Sequence, residues 1–378
     1  MSTLDRLLED TRVVVSVGSG GVGKTTTAAI TAMHAAMRGK RALVMTVDPA
    51  RRLANSLGIE GLGHEIQRIP LPNAEGELWA TMLDMKNTFD GIVERYSKDE
   101  ESAQRILDNR FYHHFSTSLA GSQELSASER LFEVVESGQF DLVVLDTPPT
   151  SNALDFLDAP VRFFEALESP AIQWVIAATG FARGKGFIGM GTQLVLKTLG
   201  RFTGQDFFQE LGEFLFHFSG LLDGIRDRSD ATQLLLRAPD TRFVIVTTPD
   251  PSTVDESMGF RKRLDAFGVH VGGVVVNRAH QNFGHNDYTE QPINVLTDAL
   301  AADAPEPAPD RARLTRLASA MLDNTRAFKA LAARDDEAIA ALRESLGEET
   351  PVVRVPMYAT DVHTINGLLR MRADLFGE

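Results

Sequence analysis

A glycine-rich stretch near the start of this chain carries the residue types that hold phosphate. Gly18–Thr25 reads GSGGVGKT and matches the pattern G-x-x-x-x-G-K-[ST] at every position. In such a loop, backbone N–H groups surround phosphate oxygens, the lysine reaches the β- and γ-phosphates, and the hydroxyl binds Mg²⁺. The loop follows a β-branched apolar run and precedes a helical pattern, where this chemistry requires it. We expect nucleotide contacts from Gly20, Gly21, Val22, Gly23, Lys24, Thr25 and Thr26.

Two acidic residues stand where later strands are expected to end. Asp146 follows the apolar run Leu142–Leu145, and Asp48 follows the run Arg41–Val47. A carboxylate at such a strand end holds Mg²⁺ in many nucleotide-binding sheets, often through water. The alternative for Asp146 is a cap on the next turn, and the phosphate loop favours the metal role. We expect the metal ligands to be Thr25, Asp48 and Asp146.

An amide side chain follows another apolar run and is a candidate for reading the base. Asn277 comes directly after Val271–Val276, and its amide can pair with the N6/N7 edge of adenine. Turn formation is the alternative role. Pro356 would then pack on the base. The sequence contains no [NT]-K-x-D pattern for guanine, so ATP is favoured over GTP.

The elements that must position these residues are short apolar runs that alternate with helical patterns. This alternation predicts an α/β fold, a doubly wound, mostly parallel sheet with helices on both faces, as in P-loop nucleoside triphosphatases. Lys24–Arg38 is predicted to be the first crossover helix, with Gly39 as its stop. The predicted strands are Arg12–Gly18, Arg41–Val47, Leu78–Leu83, Phe140–Leu145, Arg242–Thr247, Val271–Val276 and Val352–Val355.

Three segments interrupt the alternation. We interpret 1–378 as a single P-loop domain with helical insertions at 87–138 and 151–230, which form a helical subdomain, and a helical hairpin at 303–347. Eleven of the 22 phenylalanines fall between Phe156 and Phe218. Apolar stripes of this kind form either a core or a groove for an apolar client, and both interpretations remain open. The stripe residues are Phe163, Phe164, Leu167, Trp174, Phe207, Phe208, Leu211, Phe214, Phe218 and Leu222.

Composition excludes several function classes. The formal net charge of −14 disfavours nucleic acid as a partner. The absence of cysteine excludes arsenite capture by thiolates and a cysteine-bridged zinc site. The first residues show no signal-peptide pattern, and no apolar run reaches membrane-spanning length. We therefore expect a cytoplasmic protein without stable membrane insertion.

Six segments together resemble the arsenite-pump (ArsA) and tail-anchored-protein-targeting ATPases, which belong to the deviant Walker A class that includes MinD and ParA. The resemblance runs along nearly the whole chain in the right order. It implies switches at Asp48–Gly58 and Asp146–Ala153, adenine contacts from Asn277, Arg278 and Pro356, and a nucleotide-gated dimer with a client surface after the second switch. The segments are GGVGKTT (20–26), VDPARRLANSLG (47–58), AGSQE (120–124), LDTPPTSNALDFLDAP (145–160), VVVNR (274–278) and VPMY (355–358).

Two positions depart from the pattern of that family. Its loop opens with an additional lysine that reaches the partner subunit's phosphates, and this chain has Ser19 there. Its water-positioning aspartate aligns with Asn55, which can orient a water but accepts its proton poorly. With Lys24, Asn55 and Asp146 as the catalytic residues, we predict slow turnover, on the order of 10⁻³ to 10⁻² s⁻¹.

The sequence therefore predicts an ATP- and Mg²⁺-dependent ATPase that acts as a homodimer, or as a heterodimer with a related ATPase. Its nucleotide state would control binding of an apolar client at 151–230. Two alternatives remain. One is a non-hydrolysing, nucleotide-loaded scaffold or one half of a heterodimeric ATPase. The other is a positioning ATPase of the ParA/MinD type, which would need a basic DNA-binding surface or a terminal amphipathic helix.

Overall fold

A computed structural model describes residues 3–47, 52–59, 61–118, 122–147, 164–165, 167–178, 205–282, 292–304, 310–362 and 364–377. Strands and helices alternate along these ranges. The strands are β1 (Val13–Val17), β2 (Arg41–Thr46), β3 (Gln67–Ile69), β4 (Glu77–Met82), β5 (Leu142–Asp146), β6 (Thr241–Thr247), β7 (Val271–Ala279) and β8 (Val352–Pro356). The helices are α1 (Thr3–Glu9), α2 (Lys24–Met37), α3 (Arg52–Leu57), α4 (Met85–Tyr96), α5 (Glu100–Leu107), α6 (Arg110–Ser118), α7 (Ser122–Glu136), α8 (Pro170–Ala178), α9 (Gln205–Ser219), α10 (Leu222–Arg237), α11 (Pro251–Phe267), α12 (Ile293–Ala302), α13 (Arg311–Leu346) and α14 (Ile365–Phe376).

The strands form one eight-stranded sheet in the order β3-β4-β2-β5-β1-β6-β7-β8. All neighbouring pairs are parallel except β3 and β4. The register places Ser16 of β1 and Thr46 of β2 beside Asp146 of β5. Because the carboxyl ends of parallel strands meet at one edge, this pairing brings the phosphate loop and the acidic strand end together. The predicted fold class is confirmed.

Each face of the sheet is covered by its own hydrophobic core. Alternate residues of the central strands point to opposite faces, so Val14 and Val144 enter one core, and Val13 and Val143 enter the other. Helices α1, α2, α3 and α14 close the first core. Helices α7, α11 and the C-terminal part of α13 close the second. Strands buried on both faces explain why their sequences are continuous apolar runs.

A third core lies among the helices between β4 and β6. It joins α4, α5, α6, α8, α9 and α10, with Phe89, Tyr112 and Phe218 among its most buried side chains. The assignment of these helices to a helical subdomain, inserted at 87–138 and 151–230, stays a prediction. None of the helices in the described ranges combines the length and apolarity that a membrane crossing needs.

Two details of the fold differ from the sequence predictions. The hairpin predicted at 303–347 was wrong, because Arg311–Leu346 is one continuous 36-residue helix. Its sequence contains no glycine or proline that would stop it. The N-terminal part of α13 pairs instead with α12, which lies before the proline-rich stretch. The antiparallel edge strand β3 was not predicted, since its three residues carry no apolar run.

Candidate nucleotide-binding site

The phosphate loop connects β1 to α2 and depends on glycine at two closely packed positions. Gly18 has φ +148° and Gly23 has φ +102°, a range that favours glycine. A Cβ at Gly18 would lie 2.1 Å from the Val246 carbonyl oxygen of β6, and a Cβ at Gly23 would lie 2.3 Å from Asn277 Nδ2. Both glycines therefore let the loop approach neighbouring strand ends more closely than any side chain would allow.

Lys24 is folded back over this loop. Its side chain is only 6% exposed, and its Nζ donates hydrogen bonds to the carbonyl oxygens of Gly18 at 2.8 Å and Ser19 at 2.9 Å. A buried ammonium needs such partners to offset its lost hydration. The positive charge is thus held at the loop, where the sequence predicts phosphate.

The hydroxyl and carboxylate predicted to bind metal are in contact. Thr25 Oγ1 donates to Asp146 Oδ2 at 2.7 Å, and Thr46 Oγ1 donates to the same oxygen at 2.9 Å. Asp146 is fully buried. Because Thr25 gives its only hydroxyl proton to Asp146, the lone pairs of its oxygen remain for a cation.

These oxygen donors fit Mg²⁺, which prefers hard oxygen ligands and keeps several water or phosphate ligands. Within the described ranges, no cluster of three or more His, Asp or Glu side chains could hold a metal by itself. A cation at Thr25 and Asp146 would therefore take its other ligands from a nucleotide and water. Asp48, the third predicted ligand, lies outside the described residues.

A cavity of about 890 Å³ opens beside the loop, within the usual size of ligand sites. The phosphate loop, Asn55 of α3, Thr147 and residues at the ends of β7 and β8 line it. The Val22 side chain is 2% exposed and packs in the first core, so its predicted nucleotide contact would come from its backbone. The predicted residues that line the cavity are Gly20, Gly21, Gly23, Lys24, Thr25, Thr26, Asn55, Asn277, Arg278 and Pro356.

Sequence comparison assigns this arrangement to a family. The profile of the anion-transporting ATPase family, ArsA, matches residues 11–289. The chain belongs to this family. An Aquifex aeolicus protein provisionally named arsenical pump-driving ATPase 1 is 24% identical over 285 residues, which are 71% of this chain and 63% of that protein. A Chlorobaculum tepidum protein with a similar provisional name is 30% identical over 151 residues, 39% of this chain and 36% of its own length. ATPase get3 of Schizosaccharomyces pombe is 28% identical over 167 residues, 44% of this chain and 49% of its own length.

The chain thus spans less than two thirds of the length of each of these three relatives of the ArsA family. The matched range contains the phosphate loop, Asn55, Asp146 and Asn277, but ends before Pro356.

Asn277 makes a hydrogen bond to the phosphate loop that the sequence did not predict. Its Nδ2 donates to the Val22 carbonyl oxygen at 2.8 Å, and its Oδ1 accepts from the Arg278 N–H at 3.0 Å. The amide therefore ties the end of β7 to the phosphate loop. Arg278 beside it has φ +59°, unusual for a residue other than glycine, and lies at a register shift between β7 and β8. Contact of Asn277 with adenine remains a prediction.

Ser19, the position that departs from the family's loop, is bonded to an acid. Its Oγ donates to Glu256 of α11, and its carbonyl oxygen accepts from Lys24. The local sequence carries no signal for this contact, because Ser19 and Glu256 are 237 residues apart.

The cavity is also lined by residues that were not singled out from the sequence, among them Arg52, Tyr358 and Met371. The Tyr358 hydroxyl donates to Asp374 of α14, and Arg370 lies over its ring at 5.3 Å from the centroid. Burial and this hydrogen bond raise the pKa of Tyr358, so the hydroxyl stays protonated and keeps the segment after β8 attached to α14.

Proposed function

We propose that this chain binds ATP with Mg²⁺ and hydrolyses it slowly. The observation that carries the proposal is the arrangement at the cavity: Lys24 is held at a glycine-rich loop, and Thr25 is hydrogen-bonded to the buried Asp146. Lys24 would neutralise phosphate charge, and Thr25 with Asp146 would hold the metal. Membership of an ATPase family supports the same activity.

The ATP-bound cation would polarise the phosphate oxygens, while the protein orients the attacking water. Asn55 is exposed on α3 and lines the cavity, so its amide is available to orient that water. An amide is a weaker proton acceptor than a carboxylate, and Ser19 brings no positive charge. Both features support turnover at the slow end for P-loop enzymes, on the order of 10⁻³ to 10⁻² s⁻¹.

We further propose that the chain acts as a dimer and couples its nucleotide state to an apolar client at 151–230. Two exposed aromatic side chains support the client, Trp174 on α8 and Phe216 on α9, which are 40% and 38% exposed. Most of the described stripe is core instead: Phe164, Leu167, Phe214, Phe218 and Leu222 are buried. Phe163 and the glycine-rich segment 180–191 lie outside the described residues.

Replacing Lys24 by alanine tests the proposal. We expect Lys24→Ala to abolish tight Mg²⁺-ATP binding in calorimetry, because the loop loses the charge that its carbonyl oxygens hold in place. Lys262→Ala, at an exposed lysine of α11 outside the cavity lining, is the matched control and should bind like the wild type. Equal affinity of Lys24→Ala and wild type would refute the ATPase proposal. Tight binding without phosphate release by the wild type would favour the non-hydrolysing scaffold or half of a heterodimer.

A further inference from the structure

The cavity contains a positive charge for which the proposed function has no role so far. Among the described residues that line it, three carry positive charge: Lys24, Arg52 and Arg278. Lys24 belongs to the phosphate loop, and Arg278 is one of the residues predicted to contact adenine. We propose that Arg52 of α3 is a catalytic residue that donates to the γ-phosphate from within the same chain. This inference rests on the proposed ATP hydrolysis.

The short helix α3 presents Arg52 and Asn55 on one face. Leu53, Ala54 and Leu57 are buried in the core that α3 shares with α2 and α14. Arg52 and Asn55, three residues apart, are exposed and line the cavity. Residues with this spacing are neighbours on a helix surface. The arginine therefore shares its side of the cavity with the residue proposed to orient the water.

Arg52 lines the same cavity as Lys24, Thr25 and Thr26 of the phosphate loop. Thr46, at the end of β2, donates to Asp146 Oδ2, the oxygen that also accepts from Thr25. Only five residues separate Thr46 from Arg52. Helix α3 also packs against α2, whose first residue is Lys24. These connections support a position of Arg52 from which it can reach a phosphate bound at the loop.

The phosphate loop carries one positive side chain, Lys24, and supplies no second positive charge for the γ-phosphate. Ser19 is neutral, and its hydroxyl is engaged by the Glu256 carboxylate. During hydrolysis, water forms a bond to the γ-phosphorus, the bond to the bridging oxygen breaks, ADP leaves with the electron pair, and the proton of the water passes to the inorganic phosphate. Negative charge spreads over the equatorial oxygens as this happens. A guanidinium can donate two parallel N–H groups to those oxygens and forms no covalent bond.

The test compares Arg52→Gln and Arg52→Lys with the wild type. The matched control is Arg68→Gln, an exposed arginine of edge strand β3 that pairs with Glu77 and does not line the cavity. Phosphate release is measured in single turnovers. Calorimetry with ADP alone and with ADP plus aluminium fluoride, a mimic of the transferring phosphoryl group, gives a readout independent of turnover. Circular dichroism confirms that each variant is folded.

We expect Arg52→Gln to slow phosphate release at least tenfold, since an arginine supplied in cis accounts for differences of this size or more. It should weaken binding of ADP with aluminium fluoride at least tenfold and change ADP affinity less than threefold. Arg52→Lys should recover part of the binding but little of the rate, because an ammonium is a point charge without the planar fork. Arg68→Gln should match the wild type.

Failure of the proposed ATP hydrolysis and failure of the Arg52 proposal give different results. If the wild type binds no nucleotide, the proposed function fails. If the wild type binds ATP and Arg52→Gln changes neither phosphate release nor binding of the fluoride complex by more than threefold, Arg52 has no catalytic role and the proposed function stands. Equal rates for Arg52→Lys and wild type would show that charge alone suffices and would overturn the bidentate contact.

Discussion

Replacing Gly23 by alanine should disturb the phosphate loop in two ways. The first is backbone strain, because Gly23 has φ +102°. The second is a collision, because the new Cβ would lie 2.3 Å from Asn277 Nδ2. Asn277 would have to move, and its hydrogen bond to the Val22 carbonyl would break. The two effects are separable, because the second vanishes when Asn277 is already alanine.

The magnitudes follow from these contacts. A left-handed conformation costs a residue with a Cβ about 1–2 kcal/mol, and a buried carbonyl left without its donor costs about 1–3 kcal/mol. Gly23→Ala should therefore cost the sum of both, and Asn277→Ala should cost the hydrogen bond alone. In the double variant, the cost of the backbone strain and the cost of the lost hydrogen bond each reduce the unfolding free energy once. It should be more stable than the sum of the single losses predicts by about 1–3 kcal/mol.

Urea unfolding followed by circular dichroism measures the four free energies of this cycle. Gly21→Ala provides the matched control, since Gly21 also has positive φ, at +77°, but a Cβ there would meet nothing within 4 Å. The loss of unfolding free energy caused by Gly21→Ala should add to that caused by Asn277→Ala within about 0.5 kcal/mol. Full additivity of Gly23→Ala and Asn277→Ala would show that Asn277 does not hold the loop, and the geometry assigned to that contact would be wrong.

Two further predictions concern turnover and the client. Ser19→Lys alone should change turnover less than twofold, because the new ammonium faces Glu256. Ser19→Lys combined with Glu256→Gln should raise the rate of phosphate release if position 19 reaches a partner's phosphates. The control is Ser19→Lys combined with Asp255→Asn, which changes the adjacent exposed acid of α11. Equal rates of phosphate release for the two double variants would show that Glu256 has no effect on position 19. Hydrogen exchange with and without a non-hydrolysable ATP analogue should differ over α8, α9 and the intervening Phe181–Gly191, which lies outside the described residues. Identical exchange in both states would identify the region as passive core and remove the client hypothesis.

Local sequence was sufficient for the part of the site that neighbouring residues build. The β1 run, the glycines and Lys24 are contiguous, so one segment specifies strand, loop and helix together. Asp146 was predictable for the same reason, since it ends a buried strand whose apolar run is evident. The sheet followed from the alternation of such runs with helical patterns.

Contacts between distant segments could not be predicted in this way. The Asn277 amide meets the Val22 carbonyl across 255 residues, and only the order of β1, β6 and β7 in the sheet brings them together. The sequence indicated a polar side chain at a strand end, but not which partner it would find. Arg52 was overlooked for a different reason. The resemblance of VDPARRLANSLG (47–58) to the family's first switch does not depend on the residue at position 52, and only the exposed face of α3 shows that the side chain borders the cavity.

The two unusual positions of the site, Ser19 and Arg52, have different structural support. The phosphate loop is fixed from two sides, through the close approach of Gly18 to β6 and the bond from Asn277 to Val22. A positive side chain at position 19 would be attached to this fixed loop. Arg52 instead belongs to α3, which is held by packing against α2 and α14. If the γ-phosphate is stabilised from α3, turnover depends on how that helix packs after β2. The same helix carries Asn55, so the cation and the residue that orients the water would be brought into place, or withdrawn, together.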